Sequence, residues 1–177
     1  MERREFLKKT TPAVALATVT GSAGFVFHNR EPGTRRTVLT KAASFEVSRD
    51  PALPTLTSAT NEDPAMALRS ALEGIGGIGR FVQPGERVVV KPNVGWDRTP
   101  AQGANTNPAL VGEMVQLGLG AGAASVMVTD ISCNDPRRSF LRSGIREAAE
   151  AAGATVKLPA DEDFGEADLG GVVLKNW

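Results

Sequence analysis

Three times along the chain, an Asp-Pro or Asn-Pro pair precedes a segment rich in helix-forming residues: Asp63-Pro64, Asn107-Pro108 and Asp135-Pro136. An Asp or Asn side chain accepts hydrogen bonds from the free N–H groups of a first helical turn, and proline fits the first helical position because no N–H is required there. We therefore predict three helices that begin at these prolines. Their predicted ends lie near Leu72, Gly118 and Gly153.

Short apolar runs stand beside these helices, at 87–90, 125–129 and 154–158. Continuous apolar strands of this length are typical of parallel sheets. With 19 glycines and 5% aromatic residues, the composition also favours close packing of helices on a sheet. We predict an α/β fold of three layers, with a mostly parallel sheet and right-handed crossover helices.

Gly74, Gly76 and Gly79 match the G-x-G-x-x-G spacing of dinucleotide-binding loops. That fingerprint follows a strand and opens a helix, whereas these glycines follow a predicted helix and precede a strand. We therefore expect a helix C-cap and a tight turn here, and no nucleotide site.

Residues 62–177 are assigned to the α/β domain. The chain ends on an apolar run, 170–177, with no capping element after it. A sheet of three or four parallel strands would keep a long free edge and faces that need covering. We therefore expect the N-terminal part of a larger, incomplete domain, which a partner chain could complete.

Residues 1–27 have the features of a bacterial twin-arginine signal, with Arg3, Arg4, Phe6, Leu7 and Lys8 at the expected positions. The alternative is an amphipathic first helix with a basic face, but the run 13–27 carries no charge and shows no helical stripe. The run is also short and polar for a membrane span.

The signal predicts export through the twin-arginine machinery to the periplasm or cell envelope. Cleavage after residues 21–23 and retention as an uncleaved anchor both stay open. Residues 28–61 are predicted to be a linker, in which the alternating stretch 44–47 could form a short edge strand.

Charge and cysteine content exclude several classes of function. The 20 basic and 20 acidic residues balance, so electrostatic capture of nucleic acid has little support. The one cysteine, Cys133, cannot form an intramolecular disulfide or supply the thiolates of an iron-sulfur cluster or a structural zinc. Any metal would need other ligands or another chain. The one histidine, His28, lies beside the signal, so no hydrolytic triad is available.

Ligands of open parallel sheets bind beyond the carboxyl ends of the strands. The segments that follow Val90 and Thr129 therefore supply the candidate residues, and two predicted helices begin at the same rim, where their positive ends favour an anion. We expect a small anionic ligand. The residues along this rim are Lys91, Asn93, Asp97, Arg98, Asn105, Thr106, Asp130, Cys133, Asn134, Arg137 and Arg138.

Three of these residues are candidates for catalysis. Lys91 either contacts the ligand or lies along the sheet edge in water. Asp130 pairs with Lys91 or with an arginine, as a structural ion pair or as an acid/base partner. Cys133 is a nucleophile near a helix N-terminus or an inert thiol. The predicted ligand-binding residues are Asn93, Arg98, Asn105, Thr106, Asn134, Arg137 and Arg138.

Three blocks of sequence, VVVKPNVGWDR, ANTNPALVGEMV and VTDISCNDPRRSFLRSGI, resemble in order and spacing the family of the domain of unknown function 362. The resemblance runs from about Glu62 to the end of the chain. It implies export with a twin-arginine signal and an iron-sulfur cluster, although this chain has no ferredoxin-like cysteine run and typical members are longer. The family-motif positions are Lys91, Pro92, Asn93, Gly95, Asn105, Asn107, Pro108, Asp130, Cys133, Asn134, Pro136 and Arg138.

Three functions are consistent with these observations. The first is an exported enzyme, or enzyme half, that acts on a small anionic or carbonyl compound through Lys91 and Asp130. The second is a redox accessory protein whose cluster is completed by residues outside this chain. The third is a non-catalytic module that binds an anion at the same rim.

Overall fold

The computed structural model of this 177-residue chain describes residues 40–41 and 44–174. The predicted signal, 1–27, lies outside the described residues. Two compact units are present, one formed by residues 43–164 and the other including residues 165–174 and 40–41. In chain order the elements are β1 (Thr40–Lys41), α1 (Pro64–Gly74), β2 (Arg87–Val90), α2 (Pro108–Gly120), β3 (Ser125–Val128), α3 (Pro136–Arg142), α4 (Ile145–Ala151), β4 (Thr155–Val156) and β5 (Ala167–Asp168).

The three predicted helix starts are confirmed. The Asp63 carboxylate accepts from the Ala65 N–H at 2.8 Å, and Asn107 Oδ1 accepts from the Ala109 N–H at 2.9 Å. At the third start, Asp135 caps α3 by accepting from a backbone N–H at 2.9 Å. Each cap is followed by proline at the first helical position, so local chemistry alone fixes these boundaries.

The unit of residues 43–164 contains a parallel sheet with the strand order β2-β3-β4. Val88 lies opposite Val126 and Val90 lies opposite Val128. The predicted α/β class and parallel sheet are therefore confirmed. β2 has its predicted bounds, β3 ends one residue earlier than predicted, and β4 is confined to two residues of the predicted run 154–158.

The core lies between one face of this sheet and the helices α2 and α4. Val126 and Val128 on β3 are buried there, with Val88 and Val90 of β2 packed against the same cluster. The helices α2, α3 and α4 contribute further fully buried residues, which are Val111, Val115, Phe140, Ile145 and Ala149.

The opposite face of the sheet is open among the described residues. Val89, which points away from the core, is 56% exposed. The helices α2 and α4 both pack on the same face of the sheet. The strand order β2-β3-β4 advances in one direction, and right-handed crossovers between successive strands then lie on the same side. Within residues 44–164, the helices thus cover one face of the sheet.

The predicted third helix, from Pro136 to near Gly153, is wrong as a single element. Gly144 has a φ of 73°, a left-handed conformation that favours glycine, and it separates α3 from α4. The break changes the direction of the chain so that Phe140 and Ile145 both reach the core.

The glycines after α1 form a turn, as predicted. The Gly77 N–H donates to the Leu72 carbonyl at 2.8 Å, and Gly76 and Gly77 have positive φ angles of 99° and 77°. This geometry closes the helix end in the manner of a glycine C-cap.

The edge strand predicted at 44–47 is not formed. These residues line a groove of about 890 Å³ together with Val88 and Val89, on the free side of β2. Because the groove lies between the segment and β2, their backbones exchange no hydrogen bonds. In the other unit, β1 pairs in parallel with β5. No helix within 44–174 is long and apolar enough to cross a membrane.

Replacing Phe140 with alanine should destabilise the protein by about 3–5 kcal/mol, because the ring is fully buried and its removal leaves a cavity in the core. Urea unfolding of the full chain measures this loss. The neighbouring exposed residue supplies the control, since Leu141→Ala should change the free energy of unfolding by only about 0.5 kcal/mol. Equal losses for the two variants would contradict the described packing of α3.

Candidate functional site

The candidate site lies where the loop after β2 meets the loop after β3. Asp130 is 5% exposed, and its Oδ1 atom lies 2.7 Å from Nζ of Lys91. Its Oδ2 atom accepts a hydrogen bond of 2.7 Å from the Val94 N–H. The sequence left open whether Asp130 pairs with Lys91 or with an arginine, and the structure pairs it with Lys91. The lysine side chain is 69% exposed, so its ammonium group is held at one point and remains accessible.

Further hydrogen bonds fix the same part of the loop. The Ser132 hydroxyl donates to the Val94 carbonyl at 2.7 Å. The N–H groups of Cys133 and Asn134 both donate to the Gly95 carbonyl, at 2.9 and 3.1 Å. A Cβ atom on Gly95 would lie 3.7 Å from Cys133 Sγ, so the two loops pack closely here. The backbone that follows Lys91 is therefore fixed from the β3 side.

Three of the predicted ligand-binding residues form hydrogen bonds within the loop that follows β2. The Asn93 N–H donates to Thr106 Oγ1 at 2.9 Å, and the Thr106 N–H donates back to the Asn93 carbonyl at 2.9 Å. Asn105 accepts from the Trp96 N–H at 3.0 Å and donates to the Trp96 carbonyl at 2.8 Å. Their polar atoms satisfy backbone groups, and a role in contacting a ligand stays a prediction.

A second ion-pair cluster is centred on Asp97. Arg138 Nη2 lies 2.6 Å from Asp97 Oδ2, and Arg142 Nη1 lies 3.7 Å from Oδ1. Asn134 Oδ1 accepts from the Asp97 N–H at 3.1 Å, and Arg98 donates to the Asp97 carbonyl at 2.9 Å. Of the predicted rim arginines, Arg138 thus anchors the loop to α3, whereas Arg98 bonds within the loop. Arg142 was missed, although its position four residues after Arg138 puts it on the same helix face.

Cys133 and Arg137 are both exposed, and Cys133 is a free thiol. An iron-sulfur cluster requires several thiolates, whereas Cys133 is the one cysteine of the sequence. Among residues 44–174, no group of three or more His, Cys, Asp or Glu side chains is arranged to hold a metal ion. The residues present do not fit the cluster that the resemblance implies.

A cavity of about 340 Å³ opens on the uncovered face of the sheet, beyond the carboxyl ends of the strands. Lys91 and Asp130 lie at its polar side, and Thr129, which directly follows β3, also lines it. Its other lining residues, of which the sequence indicated none, are Val89, Met127, Ile131, Lys157, Pro159, Asp163 and Phe164. Lys157 follows β4 as Lys91 follows β2, but it fell inside the longer predicted strand 154–158.

Lys157 and Asp163 form an ion pair at the far wall of this cavity. The hydrogen bond from Lys157, and then the Ala160 N–H that donates to Asp163 at 3.0 Å, hold the pKa of Asp163 below its ordinary value. The ion pair therefore connects the two ends of the segment from Lys157 to Phe164, and Asp163 is ionised at neutral pH.

Lys91→Ala and Asp130→Ala should both destabilise the protein, Lys91→Ala the more. Loss of Lys91 leaves a buried carboxylate without its opposite charge, whereas loss of Asp130 returns the exposed ammonium group to water and leaves the Val94 N–H without its acceptor. We expect losses of about 3 kcal/mol for Lys91→Ala and about 2 kcal/mol for Asp130→Ala in the free energy of unfolding, measured with urea.

The control for this pair is Glu162→Gln, a change at an exposed carboxyl that should have little effect. A loss for Asp130→Ala no larger than that for Glu162→Gln would show that the bond to Val94 contributes nothing to the loop.

Comparison with known proteins gives one curated relative. A stretch of 61 residues, 34% of this chain, is 41% identical to the thylakoid-associated protein sll1697 of Synechocystis sp. (strain ATCC 27184 / PCC 6803 / Kazusa). The match spans 19% of that protein's length. No solved structure matches the chain.

The family comparison covers the whole candidate site. The family described as "Domain of unknown function (DUF362)" matches residues 88–177, about half of the chain. The matched region begins within β2 and includes Lys91, the Asp97 cluster and Asp130. On this match, which agrees with the resemblance carried by the three sequence blocks, the chain belongs to the DUF362 family.

Proposed function

We propose that this domain binds a small organic anion in the cavity beyond β2 and β3, with Lys91 as the group that contacts the anion's oxygen atoms. One observation carries this proposal. The Lys91 ammonium is fixed 2.7 Å from a buried carboxylate, while the lysine side chain is 69% exposed beside a cavity that is otherwise mainly apolar.

The chemistry of the ammonium group supports this role. A lysine ammonium has three N–H donors, and the carboxylate of Asp130 receives one of them. Because Asp130 is buried and its second oxygen is held by Val94, the pair cannot easily rearrange. The remaining donors could bind an oxygen of a carboxylate or carbonyl ligand at little further cost in side-chain entropy.

The same geometry defines the reaction that an enzyme with this site would favour. Lys91 would stabilise negative charge that develops on a carboxylate or carbonyl oxygen, and Asp130 would hold the ammonium in position. A direct acid/base role for Asp130 requires access to the substrate, and its 5% exposure makes positioning the better-supported role.

Lys91→Met should abolish anion binding while keeping the apolar stem of the side chain. In the unsubstituted chain, a bound carboxylate at about 100 times its Kd should raise the free energy of unfolding by about 2.7 kcal/mol. Thermal unfolding with and without acetate, benzoate and phosphate measures the shift.

The matched control is Arg87→Met, at the opposite end of the same strand, which should keep the shift. Anion-induced stabilisation that survives in Lys91→Met would rule out this site.

We further propose that the chain is exported to the cell envelope and associates with a membrane. The Arg-Arg pair of the predicted signal supports export. The name of the relative, a thylakoid-associated protein, supports membrane association.

Replacing Arg3 and Arg4 together with lysine should retain a tagged full chain in the cytoplasm of a bacterium that has the twin-arginine pathway. Cell fractionation followed by immunoblotting measures the distribution. A second pair of adjacent arginines, Arg35 and Arg36, provides the control, because lysine there should leave export unchanged. Export of both variants to the same extent would exclude this route.

A further inference from the structure

We infer that the anion bound beside Lys91 is a monoanion that carries a compact apolar group, of which an aromatic carboxylate is the model. The inference rests on the proposed function and names the chemical class of its ligand. It follows from three properties of the cavity: its apolar walls, its balance of charge and its size.

The walls of the cavity are large apolar side chains left exposed together. Val89 is 56% exposed, Ile131 is 65% exposed and Phe164 is 58% exposed. All three line the same space, together with Met127. Single exposed apolar residues need no explanation, but several around one concave site are typical of ligand pockets. The exposure of Val89 follows from the fold, because α2 and α4 cover the other face of the sheet.

The charges that line the cavity are already balanced. Lys91 is paired with Asp130, and Lys157 is paired with Asp163. A ligand with one negative charge can use the accessible donors of Lys91. A second negative charge would lie near the two carboxylates with no further cation among the lining residues to offset its desolvation. The lining therefore selects against phosphate dianions and polycarboxylates.

The size of the cavity is that of a small-molecule site. Its volume of about 340 Å³ is near the lower end of the range for ligand pockets. Phe164 lies across the cavity on the segment closed by the Lys157–Asp163 pair, so a flat apolar group placed with its carboxylate at Lys91 would pack against the Phe164 ring.

Isothermal titration calorimetry of the full chain with sodium benzoate, acetate and phosphate at constant ionic strength tests the inference. Benzoate should bind at least about tenfold more tightly than acetate, because its ring buries additional apolar area. Phosphate should bind more weakly than benzoate. Phe164→Ala should reduce the preference for benzoate over acetate to about threefold or less, with little change for acetate.

Phe45→Ala is the matched control, since Phe45 is exposed and does not line this cavity, and it should keep the full preference. Ile131→Ser provides a second wall variant should Phe164→Ala unfold, and it should also reduce the preference. Tighter binding of acetate or phosphate than of benzoate would overturn the inference and leave the proposed anion site standing. Binding of none of the three anions would overturn both.

Discussion

The buried carboxylate of Asp130 joins the ends of two neighbouring strands, and the arrangement of the rim depends on it. A charge at 5% exposure is costly unless it is paired and hydrogen-bonded. Here the Val94 N–H and the Lys91 ammonium each satisfy one oxygen. One side chain thereby fixes both the loop backbone at Val94 and the ammonium group of Lys91. If apolar side chains replaced the Lys91–Asp130 pair, neither group would be held in position.

The long connection between β2 and α2 shows why polar residues are abundant at the rim. Its backbone groups have no strand or helix partners, so side chains must supply them. Asn93, Asn105 and Thr106 do so within the loop, while Asp97 ties it to two arginines of the α3 segment. A rim rich in amides and arginines is thus largely a means of holding an irregular loop rigid, and rigidity is what a binding site on a loop requires.

The one-sided placement of the helices determines where a ligand can lie. Because α2 and α4 cover the face that carries Val126 and Val128, the residues that alternate with them remain accessible on the other face. The cavity at Lys91 is built on this accessible face, and its walls are apolar for the reason that the core is apolar: both faces of a parallel strand are commonly hydrophobic.

The helix starts, the parallel α/β class, the turn after α1 and the position of Lys91 and Asp130 at one rim could all be predicted from the sequence. Each depends on local chemistry: a capping side chain before proline, a run of valines, or a polar residue directly after a strand. Other features could not be predicted in this way. The break at Gly144, the open face of the sheet and the cavity walls at Lys157 and Phe164 depend on contacts between residues distant in sequence.

The pairing of Lys91 also separates what the sequence determines from what the tertiary structure determines. The sequence by itself determined that a lysine and an aspartate follow two apolar strands, since their order along the chain is enough to place both at one rim. Only the tertiary structure decided that these two pair with each other and that Arg138 and Arg142 pair with Asp97. Partner choice depends on the distances between side chains, and those distances are fixed only when the strands align and the loops close over them.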